Sequence, residues 1–282
     1  VPVDIKATAK QPVGQMRPSQ NAVFLRGFLP RFASDTKLLN QVLHGAVDAD
    51  NGMYIADDGT ILDGHHRWAT AMLWSDDVKI TNAVIIHAPG PEAVALLLAS
   101  LKYIKSPEQP TSMGEEGGSI FEGVPPQEQV VATLKSAADN GYEYAPGKMS
   151  KAFPEIEANG KKVKGWEGFI TLLSGALKLK EPSEETVVKH LMARLEKIAG
   201  TPKMQGAPKR ELMPQVGEDK VKPEEIDTTL GTGKIAKGEE GGEKPAGKPA
   251  EGAGKPKIPE VKKESIQPVD DVPEPPTHLL KG

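Results

Sequence analysis

Cysteine is absent from the 282 residues. That excludes a disulfide framework, a thiolate zinc site, an iron–sulfur cluster and a cysteine nucleophile. Long apolar runs are missing too. The longest, AVALLLASL at residues 93–101, falls far short of the ~20 residues a membrane span needs, so no membrane partner is expected. The opening VPVDIKATAK has no apolar stretch of the secretory type. Positive charge is not in excess: 35 Lys and Arg stand against 39 Asp and Glu, a net charge of −4. A broad nucleic-acid footprint is not expected from such a balance. Aromatics make up only 5% of the chain, and none follows Phe169.

What the chain has in plenty is Gly (29) and Pro (25), unevenly spread. Residues 201–282 hold 12 Pro, 11 Gly and words such as EKPAGKPAEGAGKPK. Such a stretch cannot bury enough apolar surface to offset its chain entropy. It is read as an extended, disordered or partner-wrapped low-complexity tail. The foldable part is then about the first 200 residues, with hydrophobic content enough for one core and a satellite. Within it, KSPEQPTSMGEEGGSIFEGVPP at 105–126 reads as a linker by Pro and Gly density. The expected division is a small α/β domain over 1–105, a linker over 106–126, a helical appendage over 127–200 and the tail over 201–282. The fold class is α+β.

Periodicity supplies the coarse elements. VPVDIKA alternates as a short strand, and QPVGQMRPSQN follows as a loop. A helix starts at Ser34 or Asp35, with Leu38, Leu39, Val42, Leu43 and Ala46 on one stripe. MYIA and TIL flank Asp58-Gly59, a hairpin signal. HHRWATAMLW then reads as a helix, ITNAVIIH as a strand, and PGPEAVALLLASLKYI as a helix with Pro91 in its first turn. Further helices are expected over 127–139, 166–179 and 183–199. The last has Ser183 as N-cap and a stripe of Val188, Leu191, Leu195 and Ile198. That stripe fits a core face or a dimer seam equally well.

The chemistry concentrates in GTILDGHHRWATA, residues 59–71. A strand, then Asp63-Gly64, then the first turn of a helix is an arrangement that binds anions. First-turn N–H groups lack intrahelical partners and the helix dipole places positive charge there. Gly64 permits a tight turn and a close approach of phosphate to the backbone. His65, His66 and Arg67 occupy the first turn, where a guanidinium can grip phosphate oxygens bidentately. Asp63 can cap the helix or hold a metal carried by a nucleotide. Trp68, Ala71 and Met72 share a face that should anchor the helix, and Trp74 reads as core. Plainer roles exist for each: Asp63 as an N-cap, Arg67 in a surface ion pair. A zinc site on His65-His66 is not expected, because adjacent helical residues point ~100° apart and no third ligand has suitable spacing.

On these residues, LDGHHRWATA with the N-terminal strand and the loop Pro18-Ser19-Gln20, the first third of the chain resembles the ParB N-terminal/sulfiredoxin-like superfamily. The resemblance implies a small α/β fold whose strand–Gly–His/Arg–helix element binds nucleotide phosphates. Asp63, Gly64, His65, His66 and Arg67 would be the binding residues, with ATP, ADP or CTP and Mg2+ as ligands. The departures are specific. His65 stands where sulfiredoxins need Cys, which excludes sulfinic-acid reduction. His65-His66-Arg67 also replace the Glu-Arg-Arg of CTP-hydrolysing ParB proteins. The spelling Asp-Gly-His-His-Arg is similar to the free-serine kinase branch, which uses an early Glu as base. No Glu precedes Glu92 here, leaving Asp4, Asp35, Asp48 and Asp50 as the early carboxylates.

The expected function is therefore nucleotide phosphate binding, with phosphotransferase or NTPase activity left open. The alternative is a non-catalytic structural protein. Stand-alone domains with Asp-Gly-His-His-Arg-Trp are similar to tailed-bacteriophage proteins, which would make the tail and domain assembly contacts with other virion proteins. Location in a bacterial host's cytoplasm or in a virion follows from the same resemblance. Nuclease or nucleic-acid binding is the weakest reading: the last helix carries Glu184, Glu185 and Glu196.

Overall fold

A computed structural model describes residues 1–50, 52–104, 118–145, 148–158 and 160–206. The chain is α+β, with a mixed five-stranded sheet and seven helices among these residues. In order come β1 (Val3–Ala7), a 3-10 turn (Val13–Gln15), β2 (Arg17–Pro18), α1 (Leu25–Ser34), α2 (Thr36–Leu43), β3 (Ala46–Asp48), β4 (Tyr54–Ala56) and β5 (Thr60–Asp63). Then follow α3 (His65–Met72), β6 (Lys79–Thr81), β7 (Ala83–Ile86), α4 (Gly90–Ile104) and α5 (Gln127–Asn140). The hairpins β8 (Glu143–Ala145) with β9 (Lys148–Met149) and β10 (Ile156–Ala158) with β11 (Lys161–Val163) precede α6 (Gly165–Ala176) and α7 (Glu184–Ala199).

The sheet runs β1-β7-β4-β5-β2. β4 and β5 are the hairpin that Asp58-Gly59 announces; β7 runs parallel to β4 and antiparallel to β1, and β2 runs parallel to β5. Alternation along the strands sends their apolar residues to two faces. Ile55, Ile61 and Ile85 enter the larger core with α1, α2, α3, α5, α6 and α7. Tyr54, Leu62, Val84 and Ile86 face Ala93, Val94 and Leu97 of α4 on the other side. β3 and β6 form a separate parallel pair.

Several expectations need adjusting. Residues 25–34 are helical where no helix was expected, and of the two caps expected for the next helix, Ser34 or Asp35, it is Asp35 that caps α2. Ala46 leaves the α2 stripe, because Gly45 at φ +77° ends the helix and Ala46 opens β3. The strand expected over 80–87 is two strands, broken at Asn82 with φ +51°. The helical region 127–200 is no satellite: Phe169 meets Phe32 edge-on at 5.9 Å, and Val187, Val188, Leu191, Leu195 and Ile198 are buried in the larger core. Residues 106–117 of the linker lie outside the described residues. Its described end is ordered, with Ile120 N donating to Val23 O at 3.0 Å and a capping box from Ser119 to Glu122.

Residues 207–282 of the tail expected over 201–282 also lie outside the described residues. Residues 201–206 do not stand away from the fold: Met204 is buried against the α4 side of the sheet and its N–H donates to Pro18 O at 2.9 Å. No helix among the described residues is long and apolar enough to cross a membrane.

Candidate functional site

β5 delivers the chain to Asp63 and Gly64, and α3 begins at His65. Gly64 has φ +90°, a left-handed conformation that only glycine adopts without strain. A Cβ at this position would collide with Met53 Cγ and lie 3.1 Å from Gly52 O. Glycine is thus required here by the packing of the turn itself, whereas the sequence suggested room for a ligand. Asp63 Oδ1 accepts from Gly64 N at 2.7 Å, so this carboxylate braces the turn and the helix has no side-chain N-cap.

The two histidines point into the protein. His65 is 4% exposed, and its Nε2 lies 3.5 Å from Ser19 Oγ, itself fully buried. The parallel pairing of β2 with β5 causes this meeting: it carries Ser19 past Ile61, to whose carbonyl Ser19 N donates at 3.1 Å. His66 packs against α1, where Gly27 makes space; a Cβ on Gly27 would overlap the His66 ring. Trp68, Ala71 and Met72 are buried as expected, and the Trp68 indole donates to Val13 O at 3.0 Å. Trp74 is half-buried beside His190, with ring centroids 5.1 Å apart.

Arg67 is half-buried and donates from its guanidinium to Ala49 O. Burial lowers its pKa, and the charge of Arg31 acts in the same direction; Asp50, Asp63 and Asp35 act against them. Arg31 lies one helical turn beyond Gly27 on α1, the helix that packs on α3. Arg67 thus lies within the electrostatic reach of one guanidinium and three carboxylates, and of these Arg31 is itself paired with Asp35 at 3.4 Å. Arg31 was not singled out from sequence as a site residue, and Asp48 and Asp50 entered only as early carboxylates, with no context that tied either to Arg67.

The early carboxylates separate clearly. Asp50, with φ +46°, and Asp35 lie close enough to act on Arg67. Asp35 also caps α2 through Leu38 N at 3.0 Å. Asp48 is held by Asp50 N and Asn82 Nδ2, which keep its carboxyl below the usual range. Asp4 is on β1, at the edge of the sheet opposite β2, and contacts His87.

No group of three or more His, Asp or Glu among the described residues is arranged to hold a metal by itself. A cavity of about 380 Å³ lies near the other end of α3, lined by Arg17, Met72, Lys197 and Thr201. Its two cations are already engaged, Arg17 with Asp58 at 2.6 Å and Lys197 with Asp76. Comparison of the chain with known protein families, curated proteins and solved structures yields no match to any of them.

Proposed function

We propose that this chain binds the phosphates of a nucleotide at the start of α3, as a protein of the ParB N-terminal/sulfiredoxin-like type. The observation that carries this reading is the meeting of Ser19 with His65. Pro18-Ser19-Gln20 and Asp63-Gly64-His65-His66-Arg67 are the two stretches on which the resemblance rests. Nothing in local sequence requires them to touch, and they touch at the first turn of a helix. The donor set suits a magnesium-bound phosphate: first-turn N–H groups and the guanidiniums of Arg67 and Arg31 for oxygens, the carboxylates of Asp63 and Asp50 for a hard cation. A bound nucleotide would supply a phosphoryl group; this chain's own residues would bind and orient it. His65 and His66, being turned inward, support the loop and α1 rather than reach a ligand.

Calorimetry on the full chain with ATP, ADP and CTP, each with Mg2+, tests the reading. Saturable binding of at least one nucleotide is expected. Arg31→Gln should weaken it at least about tenfold, the scale of one charge-assisted contact, while Lys197→Gln at the distant cavity leaves it unchanged. No binding of any of the three at millimolar concentration removes the reading. Gly64 variants are unsuitable as probes, because the Met53 collision would alter the turn before any ligand arrived.

A further inference from the structure

A second cluster of ionisable side chains lies toward the opposite edge of the sheet. His87 follows β7; its Nδ1 is 3.0 Å from Asp57 Oδ1 and 3.2 Å from Oδ2, and its Nε2 is 2.9 Å from Asp4 Oδ2. Asp4 belongs to β1 and Asp57 to the β4–β5 turn. One imidazole thus ties the outermost strand to the hairpin at the centre of the sheet. An ionised carboxylate offers only acceptors. Both ring nitrogens must carry a proton for both contacts to be hydrogen bonds, so the geometry is that of an imidazolium. A neutral ring would turn a lone pair toward one of the two carboxylates at hydrogen-bond distance.

β1 is a strand that such a contact can control. Among the described residues it pairs with β7 alone, and its register breaks between Asp4 and Ala7, where Lys6 has φ +58°. Beyond the ladder, His87 N donates to Pro2 O at 3.0 Å. Edge segments open locally at small free-energy cost, so a modest side-chain interaction changes how often the strand is open. We propose that His87 is a proton-operated latch on β1: the protonated ring holds the strand to the sheet, and loss of the proton releases it.

The charges around His87 are Asp4 from β1, Asp57 from the β4–β5 turn and, through Asp57, Lys10 from the segment after β1, its Nζ 3.2 Å from Asp57 Oδ1. The neighbouring Asp58 turns away to Arg17. The Asp4 hydrogen bond, followed by that of Asp57, raises His87 above its ordinary 6.5 against the opposing effect of burial. A raised folded-state value means that the contribution is complete below 6.5 and is lost as pH rises through the folded value. At the acid end the latch fails as Asp57 is protonated; Lys10 and His87 outweigh its burial and hold it below 3.8. With side-chain exposures of 27% for His87, 35% for Asp57 and 63% for Asp4, added salt should weaken the latch.

Hydrogen–deuterium exchange on the full chain from about pH 5 to about pH 9, corrected for intrinsic exchange, reads the strand directly, spanning the range where histidine titrates. Nitrogen NMR of the His87 ring, assigned by its loss in His87→Gln, reads the proton. Protection of β1 should fall several-fold as His87 titrates, while protection of α5, which holds no histidine, stays constant. In His87→Gln, β1 should be poorly protected at every pH. Asp4→Asn, a change at an exposed position, should keep the fold and move the His87 transition to lower pH. A His87 ring that titrates at or below 6.5, or β1 protection that does not change across its titration, overturns the proposal.

Discussion

Arg194 and Lys197 sit one turn apart on α7 and both meet Asp76, yet they should differ in importance. Arg194 has a side chain only 13% exposed; it donates to Met72 O at 2.7 Å and to Asp76 Oδ1 at 2.6 Å. Lys197 reaches the other carboxylate oxygen from a side chain 52% exposed. Replacing Arg194 by Met leaves a buried carbonyl and a carboxylate short of partners, an expected loss of about 2–3 kcal/mol in urea denaturation. Lys197→Met should cost less than about 1 kcal/mol, as exposed pairs do. The same pair predicts an acid dependence. The Arg194 hydrogen bond leads in lowering the Asp76 pKa below 3.8, so its stabilisation is present above that value and is lost as pH falls through the folded one. Asp76→Asn should flatten that acid limb. None of this was legible in sequence, because Asp76 and Arg194 are 118 residues apart and neither stands in a motif.

Helix α1 illustrates why some elements could be read and others could not. Phe24, Phe28 and Phe32 recur every fourth residue, a helical spacing, but Gly27 and Pro30 fall among them and read as breakers. Pro30 has no N–H, so the carbonyl of Arg26, four residues back, lacks its usual intrahelical donor. Tyr142 supplies one: its hydroxyl donates to Arg26 O at 2.9 Å and accepts from Arg26 Nε at 3.1 Å. Gly27 lets His66 lie against the backbone. Both breakers are compensated by residues far along the chain, which a local reading cannot weigh. Tyr142→Phe should therefore cost about 1 kcal/mol and speed amide exchange in α1 more than in α2. By contrast α3, α4, α5 and α7 carry their signals locally, in an apolar stripe, an early Pro or a serine cap, and they fold close to where the periodicity puts them.

The larger hydrophobic cluster runs from Ala9 to Ile198 and joins the sheet to all three C-terminal helices. A fragment ending at residue 105 would expose Phe28, Phe32 and the buried face of α3, and it should show no cooperative melting transition by circular dichroism. A chain ending at Gly200 should melt several degrees below one ending at Gly206. The shorter chain loses buried Met204, its hydrogen bond to Pro18 and the Lys203 ammonium 5.1 Å from the Phe121 ring centre, on the order of 2 kcal/mol for the side chain alone. Composition and periodicity were enough to set the α+β class, the hairpin at Asp58-Gly59, most helices and the strand–glycine–helix turn at Asp63-Gly64, since each depends on neighbours within a few residues. Folding in three dimensions was needed to join the helical region to the sheet, to bury His65 and turn His66 against α1, and to bring Ser19 to the start of α3 and Arg31 and Asp50 within electrostatic reach of Arg67. Those outcomes depend on which distant surfaces fill one another's volume and pair one another's polar groups, and a one-dimensional pattern carries no measure of either.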